Sequence, residues 1–321
     1  MSDEDGDAPE VTAAGTAAGT AVGAAVGAAA PATVKLRGLL PALSPAERRV
    51  AQVVIEQGAT AAGLTITELA RRAETSETTV IRLCRTMGFA GYPQLRLALA
   101  AEAGRSRDDG AHDRALGGDI GLSDDLAEVV QKIAFADARA IEDTGAQLDV
   151  DVLERVVAAV VAAGRVDIYG VGASAFVAQD FQQKLYRIGR IAYAWSDLHA
   201  ALTSAALLGE RDVAFGISHT GATIDTIEAL REAGGRGALT VALTNFPRSP
   251  IAEVADLVLT TAARETTFRS GAMVSRLAQL TVVDCVFVGV AQRTYPQTRA
   301  ALEATYEAVR SRRARTPRER R

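Results

Sequence analysis

The sequence predicts an α/β protein in two parts: an N-terminal all-α helix-turn-helix domain, followed by a doubly wound α/β domain with a five-stranded parallel sheet. Three observations predict this. Two short amphipathic helices separated by a tight turn lie near residues 65–88. From residue 165 to 261, short apolar strands alternate with helix-length segments, the pattern of βαβ units. Between these parts, GRSRDDGAHDRALGGDIGLSDD loses all apolar periodicity and gathers Gly, Asp and Arg, as a linker does.

The expected order is a disordered Ala/Gly-rich tail (1–33), the helix-turn-helix domain (34–104), a linker (105–125), the α/β domain (126–310) and a basic disordered tail (311–321). The first tail opens on MSDEDGDAPE and continues as TAAGTAAGTAVGAAVGAAAP. Its leading residues are acidic where a signal peptide is basic, and Ala/Gly repeats are too weakly apolar to insert in a bilayer. No membrane partner is expected.

In the small domain, LSPAERRVAQVVIEQ places Ser44 as N-cap, Pro45 at the first helical position and Glu47 at capping-box spacing. Ala46, Val50, Val53 and Val54 form its apolar stripe. A second helix, TITELARRA, starts at Thr65 or Thr67 and buries Ile66, Leu69, Ala70 and Ala73. The third, SETTVIRLCRTMGF, is capped by Ser76, stopped by Gly88, and buries Val80, Leu83, Cys84 and Met87 at i, i+3, i+4 and i+7. Its outward set is then Thr78, Thr79, Arg82 and Arg85. With Ser76, these are the DNA-reading candidates, since hydroxyls at a helix start bond phosphate or base edges and Arg forks onto guanine. An ordinary helical hairpin with a solvated Arg face fits the same pattern.

Charge restricts the partners. With 35 Lys and Arg against 39 Asp and Glu, the net charge of −4 excludes general adhesion to nucleic acid, so DNA contact must be local. The two cysteines, Cys84 and Cys285, and the three histidines, His112, His199 and His219, have neither disulfide-framework nor metal-ligand spacing. No metal and no cofactor is expected, and the thiols fit a cytoplasmic address.

In the large domain, DDLAEVVQKIAFADARAIED and VDVLERVVAAVVAAG read as helices. RVDIYG, RIAYAW, RDVAFGI, GALTVALT and ADLVLTT read as the five strands. Ligands of such sheets bind beyond the carboxyl ends of the strands, where strand order reverses. The first strand runs into GVGASA (170–175), a loose dinucleotide fingerprint with Asp197 as the later acid. The third runs into SHTGAT (218–223). Two loops that both carry hydroxyls, Ser174 in one and Ser218, Thr220 and Thr223 in the other, suit one compact terminal phosphate, with N–H donors at Gly221 and the following helix start. Ser218 and His219 as a nucleophile and base is the weaker reading, because strand-end neighbours point apart and no G-x-S-x-G elbow is present. Glu265, after the fifth strand, would accept hydrogen bonds from sugar hydroxyls, act as a general base, or be a surface charge. Arg269 lies in the same segment.

With these residues in view, GVGASA, FGISHTGATIDTIEALREA, VALTNFPRSPIAEVADLVLTT and ARETTFRSGAMVSRLAQL resemble the sugar isomerase (SIS) domain. LSPAERRVAQVVIEQ through SETTVIRLCRTMGFAGYPQLR resembles the helix-turn-helix of RpiR-type transcriptional regulators. The resemblance covers residues 35 to about 293. It implies a non-catalytic homodimer or homotetramer that binds a double-stranded DNA operator and senses a phosphorylated sugar. Its phosphate would be held by Ser218, Thr220, Thr223 and Ser174, and its sugar approached by Glu265. SIS loops often read S-x-S-G-x-T; Thr220 replaces the second serine here and keeps the hydroxyl. The role of His219 stays open. A phosphosugar isomerase or lyase using Glu265 and His219 is the alternative.

Overall fold

The computed structural model describes residues 31–108, 118–265 and 273–310. Residues 1–30 of the expected first tail, the expected C-terminal tail, the middle of the expected linker and Arg269 lie outside the described residues, whereas the last residues of the expected first tail and the first of the expected linker are helical, Ala32 and Thr33 in a helix that runs to Leu39 and the segment up to Asp108 in one that starts at Tyr92.

The first part consists of α1 (Ala32–Leu39), α2 (Pro45–Gln57), α3 (Ile66–Arg72), α4 (Glu77–Thr86) and α5 (Tyr92–Asp108). Each cap expected for α2 to α4 is made. Ser44 and Glu47 form a reciprocal capping box, the Thr65 hydroxyl accepts from Glu68 N–H at 3.2 Å, and the Ser76 hydroxyl accepts from Thr79 N–H at 3.3 Å. Gly88, at φ 83°, follows α4 and lets Phe89 N–H reach back to the Cys84 carbonyl. The α3–α4 turn uses Glu74 at φ 47°, which L-residues adopt only at a cost; Arg49 braces it by donating to the Ala73 and Glu74 carbonyls at 3.1 and 3.2 Å. Val50, Val54, Leu69, Ala70, Val80, Leu83, Cys84 and Met87 share one core, whereas Ala46, Val53 and Ile66 are only partly covered. Helix α1 had no counterpart in the sequence reading; its Leu36 and Leu39 close the same core.

The second part opens with α6 (Leu126–Gln147) and α7 (Val150–Ala162) and continues as β1 (Arg165–Gly170), α8 (Ala173–Arg187), β2 (Ala192–Trp195), α9 (Leu198–Ala205), β3 (Asp212–Ile217), α10 (Ile224–Gly235), β4 (Leu239–Thr244), α11 (Pro250–Glu253), β5 (Leu257–Thr260), α12 (Val274–Arg293) and α13 (Tyr295–Arg310). The five strands are the expected ones, all parallel, in the order β2-β1-β3-β4-β5.

Alternation along the strands builds two cores. Ile168, Phe215, Val241 and Leu259 face α7, α8 and α12, whereas Tyr169, Ala214 and Ala242 face α9, α10 and α11. Large apolar side chains fill the first face, and on the second Ala214 and Ala242 let helices approach the sheet beside Tyr169. Helix α12 is 20 residues long and apolar enough to cross a membrane by composition, but its Val282, Val283, Val286 and Val290 fill the first core. The order reverses between β1 and β3, so the loops after these two strands open on one crevice.

Candidate functional site

Both hydroxyl loops lie at that crevice. After β1 the chain turns through Gly172, at φ 60°, into α8, which puts Ser174 in the first turn of a 15-residue helix, buried. A Cβ at Gly170 would sit 2.8 Å from the Ser174 carbonyl oxygen, so the helix start approaches the strand this closely only because residue 170 is glycine.

After β3, Ser218 is 3% exposed, and its hydroxyl accepts from Gly221 N–H at 3.1 Å and lies 3.0 Å from the Thr223 hydroxyl. The Thr220 hydroxyl accepts from Ala222 N–H at 3.2 Å and stays exposed. Thr223 is the N-cap of α10 but makes no side-chain cap, which leaves that helix start open. The structure thus brings Ser218, Thr220, Gly221 and Thr223 into one turn.

The loop after β4 holds this turn from behind. Asn245 N–H and the Thr244 hydroxyl both donate to the His219 carbonyl, at 3.0 and 3.2 Å, and Ile251 N–H donates to the Gly221 carbonyl at 2.9 Å. Phe246 lies edge-on to the His219 ring, with centroids 5.6 Å apart. Sequence reading missed Asn245 and Ser249, although both follow a strand in the position that marks ligand loops.

His219 is no partner for Ser218, whose hydroxyl is taken by Thr223 and Gly221 while the His219 Nδ1 is buried without a hydrogen bond. The hydrolase reading has no geometric support. Burial pushes the His219 pKa below its ordinary value, against the opposing field of Glu265. Glu265 accepts from Ser275 N–H at 2.9 Å through Oε1, at the start of α12. Asp197, the acid a dinucleotide site would need for ribose, caps α9 by accepting from Ala200 N–H at 2.9 Å.

On α4, Ser76, Thr78, Arg82 and Arg85 are exposed. Thr79 is corrected: it is 8% exposed and turned inward, because it lies four residues before Leu83 and therefore on the buried stripe. Arg82 is held by a 3.2 Å ion pair to Glu47, a carboxylate that burial would raise but that hydrogen bonds from Ser44 and the Arg82 charge hold below its ordinary value. This pair ties the exposed face of α4 to the start of α2.

Fold and site together define a helix-turn-helix unit joined to a doubly wound domain with two hydroxyl loops at its switch point. Residues 33–106 match the helix-turn-helix domain of the rpiR family, and residues 160–289 match the SIS domain. An HTH-type transcriptional regulator of Caldanaerobacter subterraneus is 39% identical over 274 residues, 85% of this chain and 95% of that protein. The HTH-type transcriptional regulator RpiR of Escherichia coli is 29% identical over 84% of this chain and 89% of its own length. Among solved structures, the Vibrio vulnificus NanR protein complexed with ManNAc-6P superposes with a TM-score of 0.56 and 31% identity, covering 88% of this chain and all of that one. The chain belongs to the RpiR family of helix-turn-helix transcriptional regulators with an SIS domain.

Proposed function

We propose that this regulator senses a phosphorylated sugar at the crevice between β1 and β3 and converts its binding into a change of operator affinity. The observation that carries the reading is the turn at 218–223. A buried serine, two further hydroxyls and an uncapped helix start converge there, and a phosphomonoester has the charge and the acceptor oxygens to use them all. Ser174 and the start of α8 would complete the cradle. That the related NanR protein was solved with ManNAc-6P supports the same chemistry.

The protein acts as a sensor rather than a catalyst, working in the cytoplasm on double-stranded DNA as a homodimer or homotetramer. Ser76, Thr78, Arg82 and Arg85 of α4 face the operator. The path between the sites is short. The segment 245–249, which backs the phosphate turn through Asn245 and Ser249, also touches the helical part: Gly38 of α1 lies against the Asn245 carbonyl and Pro247, and Arg248 donates to the Thr86 carbonyl at the end of α4 at 3.5 Å. Ordering the turn around a ligand would shift this segment and with it α4.

Selection of duplexes from a random pool, followed by thermal denaturation of the protein with a panel of sugar phosphates, tests the reading. An enriched sequence and a stabilising sugar phosphate are expected. A pool without enrichment, or a panel without stabilisation, would refute it. The proximity of His219 and Glu265 favours a second reading as an isomerase or lyase. Turnover of a panel sugar, lost in Glu265→Gln with binding retained, would establish that instead.

A further inference from the structure

The start of α12 holds polar groups that the phosphate cradle does not use. Ser275 and Gln279 are 0% and 1% exposed, yet the Ser275 hydroxyl and both the Oε1 and Nε2 atoms of Gln279 have no hydrogen-bond partner. Glu265 Oε2 and His219 Nδ1 are buried and unpartnered too. Each such atom destabilises the fold by its full desolvation, so several gathered in one place call for a physical account.

Their placement supplies it. Glu265 and Ser275 are joined by the bond from Ser275 N–H, Glu265 acts electrostatically on His219, and Gln279 stands one turn below Ser275 on the same helix face. Further down that face, Val282, Val283 and Val286 enter the core with Ile217 and Leu243, the last core residues before the ends of β3 and β4. The polar part of the stripe therefore sits just above the core, at the level of the crevice loops. Helix α8, which carries Ser174 in its first turn, packs alongside α12 and starts at the same sheet edge.

We infer that Ser275 and Gln279 are specificity-determining residues that bind the sugar end of the effector, on the far side of the site from the phosphate turn. This rests on the sensing function proposed above. A carboxamide presents an acceptor and donors side by side, and its complement is a group that does the same, a pair of neighbouring hydroxyls or an acylamino substituent on the sugar. Glu265 and the Ser275 hydroxyl would take the adjoining hydroxyls. Effector binding would pair these atoms, so the desolvation they cost the unbound fold is recovered as affinity for the matching sugar. A site built in this way discriminates strongly, since an analogue that lacks the matching group leaves buried polar atoms unpaired.

The test is calorimetry on the full chain, wild type, Gln279→Met and Ser275→Ala, with inorganic phosphate, glucose 6-phosphate, glucosamine 6-phosphate and N-acetylglucosamine 6-phosphate. Thermal denaturation without ligand accompanies it. Wild type is expected to rank the sugars, and the preferred C2 substituent identifies hydroxyl or acylamino as the group read. Gln279→Met is expected to weaken the preferred sugar by about tenfold or more, compress the ranking and leave inorganic phosphate unchanged. Its ligand-free Tm should rise, because the near-isosteric methionine removes two unsatisfied atoms. Ser275→Ala changes volume little and should give a smaller shift of the same kind. An unchanged ranking in both variants overturns the inference alone. Wild type that binds none of the four overturns the sensing function and the inference with it.

Discussion

Replacing Gly221 with alanine probes the geometry of the turn at 218–223. The residue sits at φ 63°, and an added Cβ would lie 2.0 Å from the Ser249 hydroxyl oxygen, 2.4 Å from Ser249 Cβ and 2.9 Å from the Thr244 hydroxyl. The left-handed backbone costs an L-residue about 1–2 kcal/mol. Forcing Ser249 aside in a buried turn adds about 1–3 kcal/mol, for a total loss of roughly 2–5 kcal/mol. The two contributions separate in Gly221→Ala with Ser249→Gly. Ser249 is the N-cap of α11 but makes no side-chain cap, so Ser249→Gly alone should cost only a few tenths of a kcal/mol, roughly the general figure for glycine at that position. The double variant should recover most of the steric part and keep the backbone part. Urea denaturation of the four proteins measures this, with the midpoint as readout and the slope as the check on two-state behaviour. A single variant within about 0.5 kcal/mol of wild type, the range of a neutral surface change, would refute the turn geometry. So would a double variant no more stable than the single one.

Two further predictions follow from contacts around this turn. Arg248→Ala removes the donor to the Thr86 carbonyl. It should leave sugar-phosphate and operator affinities, measured separately, within about twofold of wild type while reducing the effect of one on the other; intact coupling would rule out the 245–249 segment as the path. Burial lowers the pKa of His219 in the folded protein below the ordinary histidine value, so the unfolded chain binds the proton more tightly. The contribution of His219 to stability is then complete above about pH 6.5 and falls on acidification below it. Denaturation of wild type and His219→Gln from pH 8 to 5 should show the gap between them narrowing or reversing below that pH, and parallel curves would contradict the burial assigned to the ring.

Much of this was legible in the sequence because it is local. The five strands are apolar runs bounded by glycine or charge, and Ser44, Thr65 and Ser76 precede helices with the spacing that caps require. Ser218, Thr220 and Thr223 stood out as hydroxyls at a strand end. Thr79 escapes the i, i+3, i+4 pattern that starts at Val80, yet a position four residues before Leu83 belongs to the buried face. Helix α1 is eight residues long and beside an Ala/Gly tract, so its two leucines carried too little periodicity to read. Ser249, Ser275 and Gln279 owe their interest to what surrounds them. Nothing near Gln279 in sequence announces a carboxamide buried without partners, since α12 otherwise reads as a core helix.

The central claim is that sugar phosphate and operator bind one molecule and influence each other. Fluorescence anisotropy on the selected duplex, with and without a saturating stabilising sugar phosphate, measures it for wild type and for Ser218→Ala with Thr220→Ala. The account predicts that the sugar phosphate shifts wild-type operator affinity by roughly 5- to 150-fold, the usual range of such coupling. The double variant should bind the duplex equally well and ignore the sugar. A sugar response that survives the double variant, or a wild-type affinity that no sugar phosphate moves, would contradict it.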